Sequence, residues 1–142
     1  MSQSKINTCT LIRDNITFSV LIKRNNIVAI ELSLRSNIRL IAINLYISAP
    51  MNDESSAALL EAEELVEKSL LERNNVIIGG DFNMLRTNNK MKKLQQLLPF
   101  ILENDIPARR ARGIARKIDF LMSNLRIHRQ KSVRPLSGIS DH

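Results

Sequence analysis

Hydrophobic and polar positions alternate over much of the first 46 residues, which is the pattern of β-strands with one buried face. Short runs of polar turn formers separate the apolar stretches, and this spacing favours an antiparallel meander. The strands predicted in this region are Thr8–Arg13, Ile16–Ile22, Ile27–Leu34 and Ile38–Tyr46.

After Pro50 the apolar residues recur at spacings of three and four, which predicts an amphipathic helix over residues 53–73 with Asp53 as its N-cap. Asn75–Asp81 is apolar on both faces until it reaches two glycines and an acid, so we expect a buried strand in the middle of a sheet. A second helix is predicted from Asn88 to Leu98, because Pro99 would stop it.

The remaining sequence predicts further strands at Phe100–Leu102 and Ile118–Met122, and a more polar, basic strand at Leu125–Val133. The predicted order of elements is β-β-β-β-α-β-α-β-β-β, which is typical of a mixed α/β sandwich. With 142 residues the chain is expected to form one domain, residues 1–142.

Composition agrees with a folded chain, since 44% of the residues are hydrophobic and 25% are charged. Cys9 is the only cysteine, which excludes an internal disulfide and a thiolate metal cluster. No apolar run approaches the roughly 18 residues that a membrane span needs, and the first residues lack the layout of a secretory signal. We therefore expect an intracellular protein without a membrane partner.

The net charge of +7 is unevenly distributed: +4 over residues 1–50, −6 over residues 51–83 and +9 over residues 84–142. A basic half of this kind favours a polyanionic partner such as nucleic acid. The densest group of basic residues is predicted to contact the DNA backbone, although the same pattern fits a solvated loop. These residues are Arg109, Arg110, Arg112, Arg116 and Lys117.

Three aspartates interrupt strand-like apolar sequence: Asp81, Asp119 and Asp141. A charge at such a position is costly unless it is paired, hydrogen-bonded or bound to a metal. Each one alone is more often a turn former, but together with Asn83 and His142 they suit hydrolysis of a phosphate ester. Aspartate oxygens are ligands that Mg²⁺ prefers, and a metal offsets the charge that builds on the phosphoryl oxygens.

Three motifs in this order resemble the endonuclease/exonuclease/phosphatase superfamily: Gly79-Gly80-Asp81-Phe82-Asn83, Ile118-Asp119-Phe120 and Ser140-Asp141-His142. Leu45-Tyr46 followed by Ala49-Pro50 resembles the strand and proline loop of the same superfamily. The sequence around Asp81 and Asp119 is most similar to that of the endonuclease domain of non-LTR retrotransposons. The resemblance implies a deoxyribonuclease-I-like α/β fold, a four-layer sandwich of mixed, largely antiparallel sheets.

The resemblance also implies a role for each matching residue. Asp81 would position or activate the attacking water, and Asn83 would contact the scissile phosphate. Asp119 would orient His142, which would stabilise the pentacovalent phosphate. Asp141 would belong to the shell of a Mg²⁺ or Mn²⁺ ion, and Tyr46 would touch the phosphate backbone.

The superfamily's N-terminal strands, one of which carries a metal-binding glutamate, have no counterpart here. Glu31 lies in a predicted strand but in a different motif, so we assign it no such role. We therefore expect a domain truncated at its N-terminus, from a larger polyprotein with a reverse transcriptase that acts on DNA in the nucleus. The alternatives are a catalytically inactive nucleic-acid-binding fragment and a phosphomonoesterase of the same superfamily.

Overall fold

The computed structural model describes residues 6–85, 87–103, 109–111, 114–116 and 119–126. These residues form eight strands and two α-helices, with single turns of 3₁₀-helix at Arg35–Asn37 and Asn89–Met91. In chain order the elements are β1 (Thr17–Lys23), β2 (Ile27–Ser33), β3 (Arg39–Tyr46), α1 (Asp53–Leu71), β4 (Asn75–Asp81), α2 (Lys92–Leu97), β5 (Phe100–Glu103), β6 (Arg109–Ala111), β7 (Ile114–Arg116) and β8 (Asp119–Ser123).

Six of these strands form one mixed sheet in the order β1-β2-β3-β4-β8-β5. The strands β1, β2 and β3 form the predicted antiparallel meander, whereas β3 and β4 are parallel because α1 carries the chain back between them. The strand β8 is antiparallel to both β4 and β5. The predicted α/β fold class with a mixed, largely antiparallel sheet is confirmed, and this sheet with its helices accounts for two layers of the predicted sandwich.

Helix α1 covers one face of the sheet by packing against β3 and β4. Its buried positions are spaced as the sequence predicted: Ser55, Ala58, Leu59, Ala62, Val66 and Ser69. The prediction of Asp53 as the N-cap was wrong by one residue. Asn52 has the extended backbone of a cap, and its side chain accepts a hydrogen bond from the Ser55 backbone N–H at 2.8 Å. Asp53 instead lies in the first turn, where its negative charge interacts favourably with the positive end of the helix dipole.

The core lies between α1 and the central strands. Burial alternates along β3, so that Ile41, Ile43 and Leu45 are buried while the residues between them are half-buried. Val76 and Ile78 of β4 are fully buried in the same cluster. Each such side chain contributes about 1.5–3 kcal/mol by leaving water. The predicted central position of β4 is confirmed, but burial of both of its faces is not, because Ile77 on the opposite face is half-buried.

The first predicted strand, Thr8–Arg13, is wrong, because this segment makes no strand pairing. Its polar groups bond elsewhere: Thr8 Oγ1 donates to the Asn25 carbonyl at 3.2 Å, and the Cys9 carbonyl accepts from Asn44 Nδ2 at 2.8 Å. The edge of the sheet next to β2 is formed by β1. The strand-like composition of residues 8–13 therefore belongs to a segment that lies against the sheet and is not one of its strands.

Two other boundaries differ from the predictions. The predicted second helix begins as a turn of 3₁₀-helix, and α2 itself covers only Lys92–Leu97. The predicted strand Leu125–Val133 is not a strand at Leu125, where the chain bends after β8, and residues 127–133 lie outside the described residues. Among the described residues, no helix combines the length and the apolar character needed to cross a bilayer.

Glu63 on α1 provides a test of how the helix layer is packed. Burial raises the pKa of its carboxyl above the ordinary value, an effect that Lys93 opposes and Glu67 reinforces. A raised folded-state pKa stabilises the protein at low pH, and this stability is lost as the carboxyl ionises. We therefore expect Glu63→Gln to raise the melting temperature at pH 7, with the gain shrinking as the pH falls through the raised pKa and vanishing below about pH 4.

Glu64→Gln is the matched control for Glu63→Gln, because Glu64 is the next residue of α1 and is exposed. Thermal unfolding of both variants, measured from pH 3 to pH 8, separates the effect of the half-buried Glu63 carboxyl from a general effect of removing charge. A lower melting temperature of Glu63→Gln at pH 7 would contradict the prediction.

Candidate active site

Three of the predicted site residues occupy neighbouring positions across three adjacent strands. Tyr46 at the end of β3 pairs with Asp81 at the end of β4, and Asp81 pairs with Asp119 at the start of β8. Because neighbouring strands lie about 5 Å apart, the backbones of all three residues fall within about 10 Å along one rung of the ladder. The sheet therefore brings together residues that lie up to 73 positions apart in the chain. We call this row the Tyr46–Asp81–Asp119 rung.

The chain just after β4 is held by a side-chain turn and a buried ring. Asp81 Oδ1 accepts a hydrogen bond from the Asn83 backbone N–H at 3.0 Å, and Asn83 takes a left-handed conformation with φ of 48°. Phe82 between them is fully buried and stacks on Phe120 of β8, with ring centroids 4.4 Å apart and planes 14° from parallel. This anchor leaves Asp81 and Asn83 half-buried on either side of it.

The side chain of Asn83 is oriented by the loop that follows β3. Its Nδ2 donates to the Ile47 carbonyl at 2.7 Å, and the Ile47 N–H in turn donates to the Asp81 carbonyl at 2.9 Å. Because a backbone carbonyl only accepts hydrogen bonds, the atom of Asn83 that faces it must be the amide nitrogen. The loops after β3 and β4 are thus tied together directly beside the Tyr46–Asp81–Asp119 rung.

Gly79 and Gly80 were expected to let the backbone turn and to keep side chains away from a substrate. They do not turn the chain, since β4 continues through both to Asp81. A Cβ on Gly80 would collide with the backbone carbonyl of Leu45 on β3, and the φ of 143° is one that other residues rarely adopt. A Cβ on Gly79 would collide with the side-chain Cδ2 of Leu121, whereas the nearest backbone atom, the Phe120 carbonyl oxygen, would be at an ordinary contact distance of 3.7 Å. Gly80 therefore permits the close approach of β3 and β4 beside the rung.

A groove of about 370 Å³ lies on the sheet face away from α1, next to the rung. Its floor includes Asn44 and Gly79, each two residues before a member of the rung, and Cys9 to Leu11 form one wall. Cys9 itself is exposed. The missing side chain of Gly79 thus leaves space close to Asp81.

The predicted basic patch lies in part on a separate two-stranded ribbon. Strands β6 and β7 pair so that Arg109 is opposite Arg116 and Arg110 is opposite Ala115. The sequence analysis predicted no strands at these arginines and therefore missed the ribbon. Arg112 and Lys117 lie outside the described residues, as do Asp141 and His142.

Glu31 lies far from the rung, which agrees with assigning it no metal role. The Glu31 carboxylate faces Arg39, with 3.9 Å between Oε1 and the Arg39 Nε. Glu31 pairs with Ile41 of β3, which lies five residues before Tyr46. At about 3.3 Å per residue this separation is about 17 Å along the strand.

The donor chemistry at the rung fits a hard divalent cation. Two members of the rung, Asp81 and Asp119, are aspartates, the residue type whose carboxylate oxygens Mg²⁺ prefers, usually one or two per ion with water completing the shell. Among the described residues, no group of three or more histidine, cysteine, aspartate or glutamate side chains is arranged so that it could hold a metal ion.

Sequence reasoning missed a group of buried polar side chains behind the loop between β3 and α1. Asn26 and Ser55 are 2% and 0% exposed, and Ser48 bonds to Ser55. These residues are 7 to 29 positions apart, so no local pattern joins them. The available signal was the pairing of Asn52 with Ser55, which has the spacing of a helix cap.

No protein-family model matches the chain, and no curated protein sequence matches it. Solved structures similar to it include the 3′-5′ exonuclease from Neisseria meningitidis, with a TM-score of 0.48 and 14% identity over 77% of this chain and 57% of that one. The human Nocturnin catalytic domain has a TM-score of 0.46 and 16% identity, over 75% and 48% of the two chains. An endonuclease/exonuclease/phosphatase from Bacteroides vulgatus has a TM-score of 0.47 and 12% identity, over 78% and 53%. The chain therefore spans about half the length of these structures.

The two glycines of β4 give a matched pair of substitutions. We expect Gly80→Ala to lower the free energy of unfolding by at least about 2 kcal/mol, because it combines an unfavourable φ with a collision against backbone. Gly79→Ala should cost less, since the Leu121 side chain can rotate away. Urea denaturation of the two variants measures both values, and a larger loss for Gly79→Ala would contradict this account of the β3–β4 contact.

Proposed function

We propose that this chain is part of a Mg²⁺-dependent phosphodiesterase of the endonuclease/exonuclease/phosphatase superfamily, and that it nicks DNA as the endonuclease region of a retrotransposon polyprotein. The observation that carries the proposal is the Tyr46–Asp81–Asp119 rung, with the Asn83 amide held beside it. The four residues come from three separate motifs, and each lies at a position that matches a motif of the superfamily that the sequence resembles.

In this proposal each side chain has one task. The Asp81 carboxylate orients the attacking water and takes its proton, and the Asn83 amide donates to a phosphate oxygen. Tyr46 contacts the neighbouring phosphate of the DNA backbone. Asp119 holds the His142 imidazole, which donates to the phosphate as negative charge builds on its oxygens. Asp141 is the carboxylate that would hold Mg²⁺, which when bound supplies Lewis-acid stabilisation of the phosphoryl oxygens.

DNA as the substrate is supported by charge and position. The segment from residue 84 onward carries a net charge of +9, and the β6–β7 ribbon directly precedes Asp119 in the chain. Each phosphate that an arginine neutralises releases counterions, so binding should weaken steeply as salt rises. The nuclear location and the reverse transcriptase partner belong to the retrotransposon part of the proposal.

Asp81→Asn tests the catalytic assignment with the smallest change in shape. We expect the rate of Mg²⁺-dependent nicking of supercoiled plasmid to fall by at least about 100-fold, because the amide cannot take a proton. Asp14→Asn is the control, since Asp14 is an exposed aspartate in the turn before β1. The assay uses this chain and, if its gene encodes residues upstream of Met1, the longer product.

Equal loss in both variants, or nicking that Asp81→Asn leaves unchanged, would contradict the role of Asp81. DNA binding without cleavage at any Mg²⁺ concentration would identify an inactive nucleic-acid-binding protein instead. Release of phosphate from monoesters without nicking would identify a phosphomonoesterase.

The contribution of the β6–β7 ribbon to DNA binding can be measured separately from cleavage. We expect the double substitution of Arg109 and Arg116 by Ala to weaken DNA binding and to reduce the slope of log affinity against log salt by up to about 0.9 per lost phosphate contact. Replacing Arg13 and Lys23 by Ala removes the same charge at the opposite end of the sequence and serves as the control. Fluorescence anisotropy at several salt concentrations gives both slopes, and equal slopes would contradict a specific role for the ribbon.

A further inference from the structure

A buried polar cluster lies between the loop that follows β3 and the start of α1. It consists of Asn26, Ser48 and Ser55, and we call it the Ser55 cluster. Ser55 is fully buried, Asn26 is 2% exposed and Ser48 is half-buried, so the polar atoms of Ser55 and Asn26 need partners within the protein. Asn26 Oδ1 accepts from Asn7 Nδ2 at 2.7 Å, and the remaining bonds join the three members of the cluster. Asn26 also reaches the site strand, because its backbone carbonyl accepts from the Tyr46 N–H at 2.8 Å.

The hydrogen bonds of the Ser55 hydroxyl have one consistent direction. Its oxygen accepts from Asn26 Nδ2 at 3.1 Å and from the Ser48 backbone N–H at 2.9 Å. A hydroxyl has two acceptor positions and one hydrogen, so both acceptor positions are used. The hydrogen of Ser55 must then go to Ser48 Oγ, which lies 2.9 Å away.

The Ser48 hydroxyl continues the same chain of donors. It accepts from Ser55 and from the Asn52 backbone N–H at 3.3 Å, and it donates to the Pro50 carbonyl at 3.0 Å. The loop between β3 and α1 is therefore held from within by hydroxyls whose orientations are all determined. A fully satisfied network of this kind favours one arrangement of the loop.

The decisive contact is made by the peptide group that joins Ile47 to Ser48. Its carbonyl accepts from Asn83 Nδ2 at 2.7 Å, and its N–H donates to Ser55 Oγ at 2.9 Å. A peptide group is rigid and planar, so a rotation that breaks one of these bonds also disturbs the other. Ser55 and Asn83 thus hold opposite ends of one rigid unit, although they lie 28 residues apart.

We propose that Ser55 is a positioning residue for the candidate active site: its hydroxyl fixes the Ile47–Ser48 peptide plane, and that plane orients the Asn83 amide. The catalytic consequence rests on the proposed function, in which Asn83 contacts the phosphate. Ser55 contacts no substrate in this arrangement. Its effect on the reaction passes through two hydrogen bonds and one peptide group.

Ser55→Ala and Ser55→Thr test this relation, with Ser69→Ala as the matched control. Ser69 lies on the same helix, is 2% exposed, and donates its hydroxyl hydrogen to the Leu65 carbonyl at 2.6 Å, which is a bond within the helix. Thr retains a hydroxyl oxygen at position 55, whereas Ala removes it. The first readout is the NMR resonance of the Asn83 side-chain amide, assigned by its loss in Asn83→Ala, together with hydrogen exchange of the Ser48 backbone amide.

We expect Ser55→Ala to shift the Asn83 side-chain resonance and to speed exchange at Ser48. Ser55→Thr should preserve both properties, and Ser69→Ala should leave them as in the unmodified chain. A changed Ser48 amide with an unchanged Asn83 resonance would overturn the proposal, because the peptide plane would then not transmit the effect. If Ser55→Ala does not fold, the reverse measurement decides: Asn83→Ala must shift the Ser48 amide but not the Ser69 amide, and no shift at Ser48 would overturn the proposal.

The second readout is DNA nicking, which keeps this proposal distinct from the proposed function. In an active protein we expect Ser55→Ala to lower kcat about 10-fold with little change in KM, since misplacing a group that acts in the transition state affects the chemical step. In an Asn83→Ala background the same substitution should have no further effect on kcat. A shifted Asn83 resonance in a protein that never nicks DNA would support the positioning role and contradict the nuclease function. A loss of kcat that persists undiminished in the Asn83→Ala background would overturn the positioning role alone.

Discussion

The register between β3, β4 and β8 is the constraint on which the candidate site depends. Asp81 meets Tyr46 on one side and Asp119 on the other only because the pairing of both ladders is aligned to the residue. A slip of one residue in either ladder would exchange the two faces of a strand. Gly80 permits the close β3–β4 contact, and the stacked rings of Phe82 and Phe120 lock β4 to β8 on the face of the core.

Much of this arrangement could be predicted from the sequence because its periodicity is strong. The bounds of β4 were predicted to the residue, and α1 and the β1–β3 meander were predicted to within two residues at each end. The failures have physical causes. The alternating segment at residues 8–13 contains strand-like residues, yet sequence alone cannot show that its polar groups bond to a turn and to the Asn44 amide. The β6–β7 ribbon was missed because arginine-rich sequence carries no hydrophobic periodicity.

The sequence predicted which residues form the candidate site, and the structure adds the strand pairings and hydrogen bonds that bring some of them together. The motif at residues 79–83 indicated Asp81 and Asn83, but nothing in it indicated that the Asn83 amide donates to the Ile47 carbonyl. Contacts between residues far apart in the chain arise from topology, which local patterns do not encode. The Ser55 cluster is the clearest case, since it joins a turn, a loop and a helix through serine and asparagine side chains that look unremarkable in sequence.

The buried Phe82 ring determines when the neighbouring site residues lose their conformational entropy. Because Phe82 sits in the core between two half-buried polar neighbours, neither Asp81 nor Asn83 can swing outward without pulling an aromatic ring into water. The conformational entropy of these two residues is therefore lost when the protein folds and not when a ligand binds. In the proposed function, a phosphate that binds at this corner of the sheet would meet groups that are already immobilised, so ordering them would cost little binding energy.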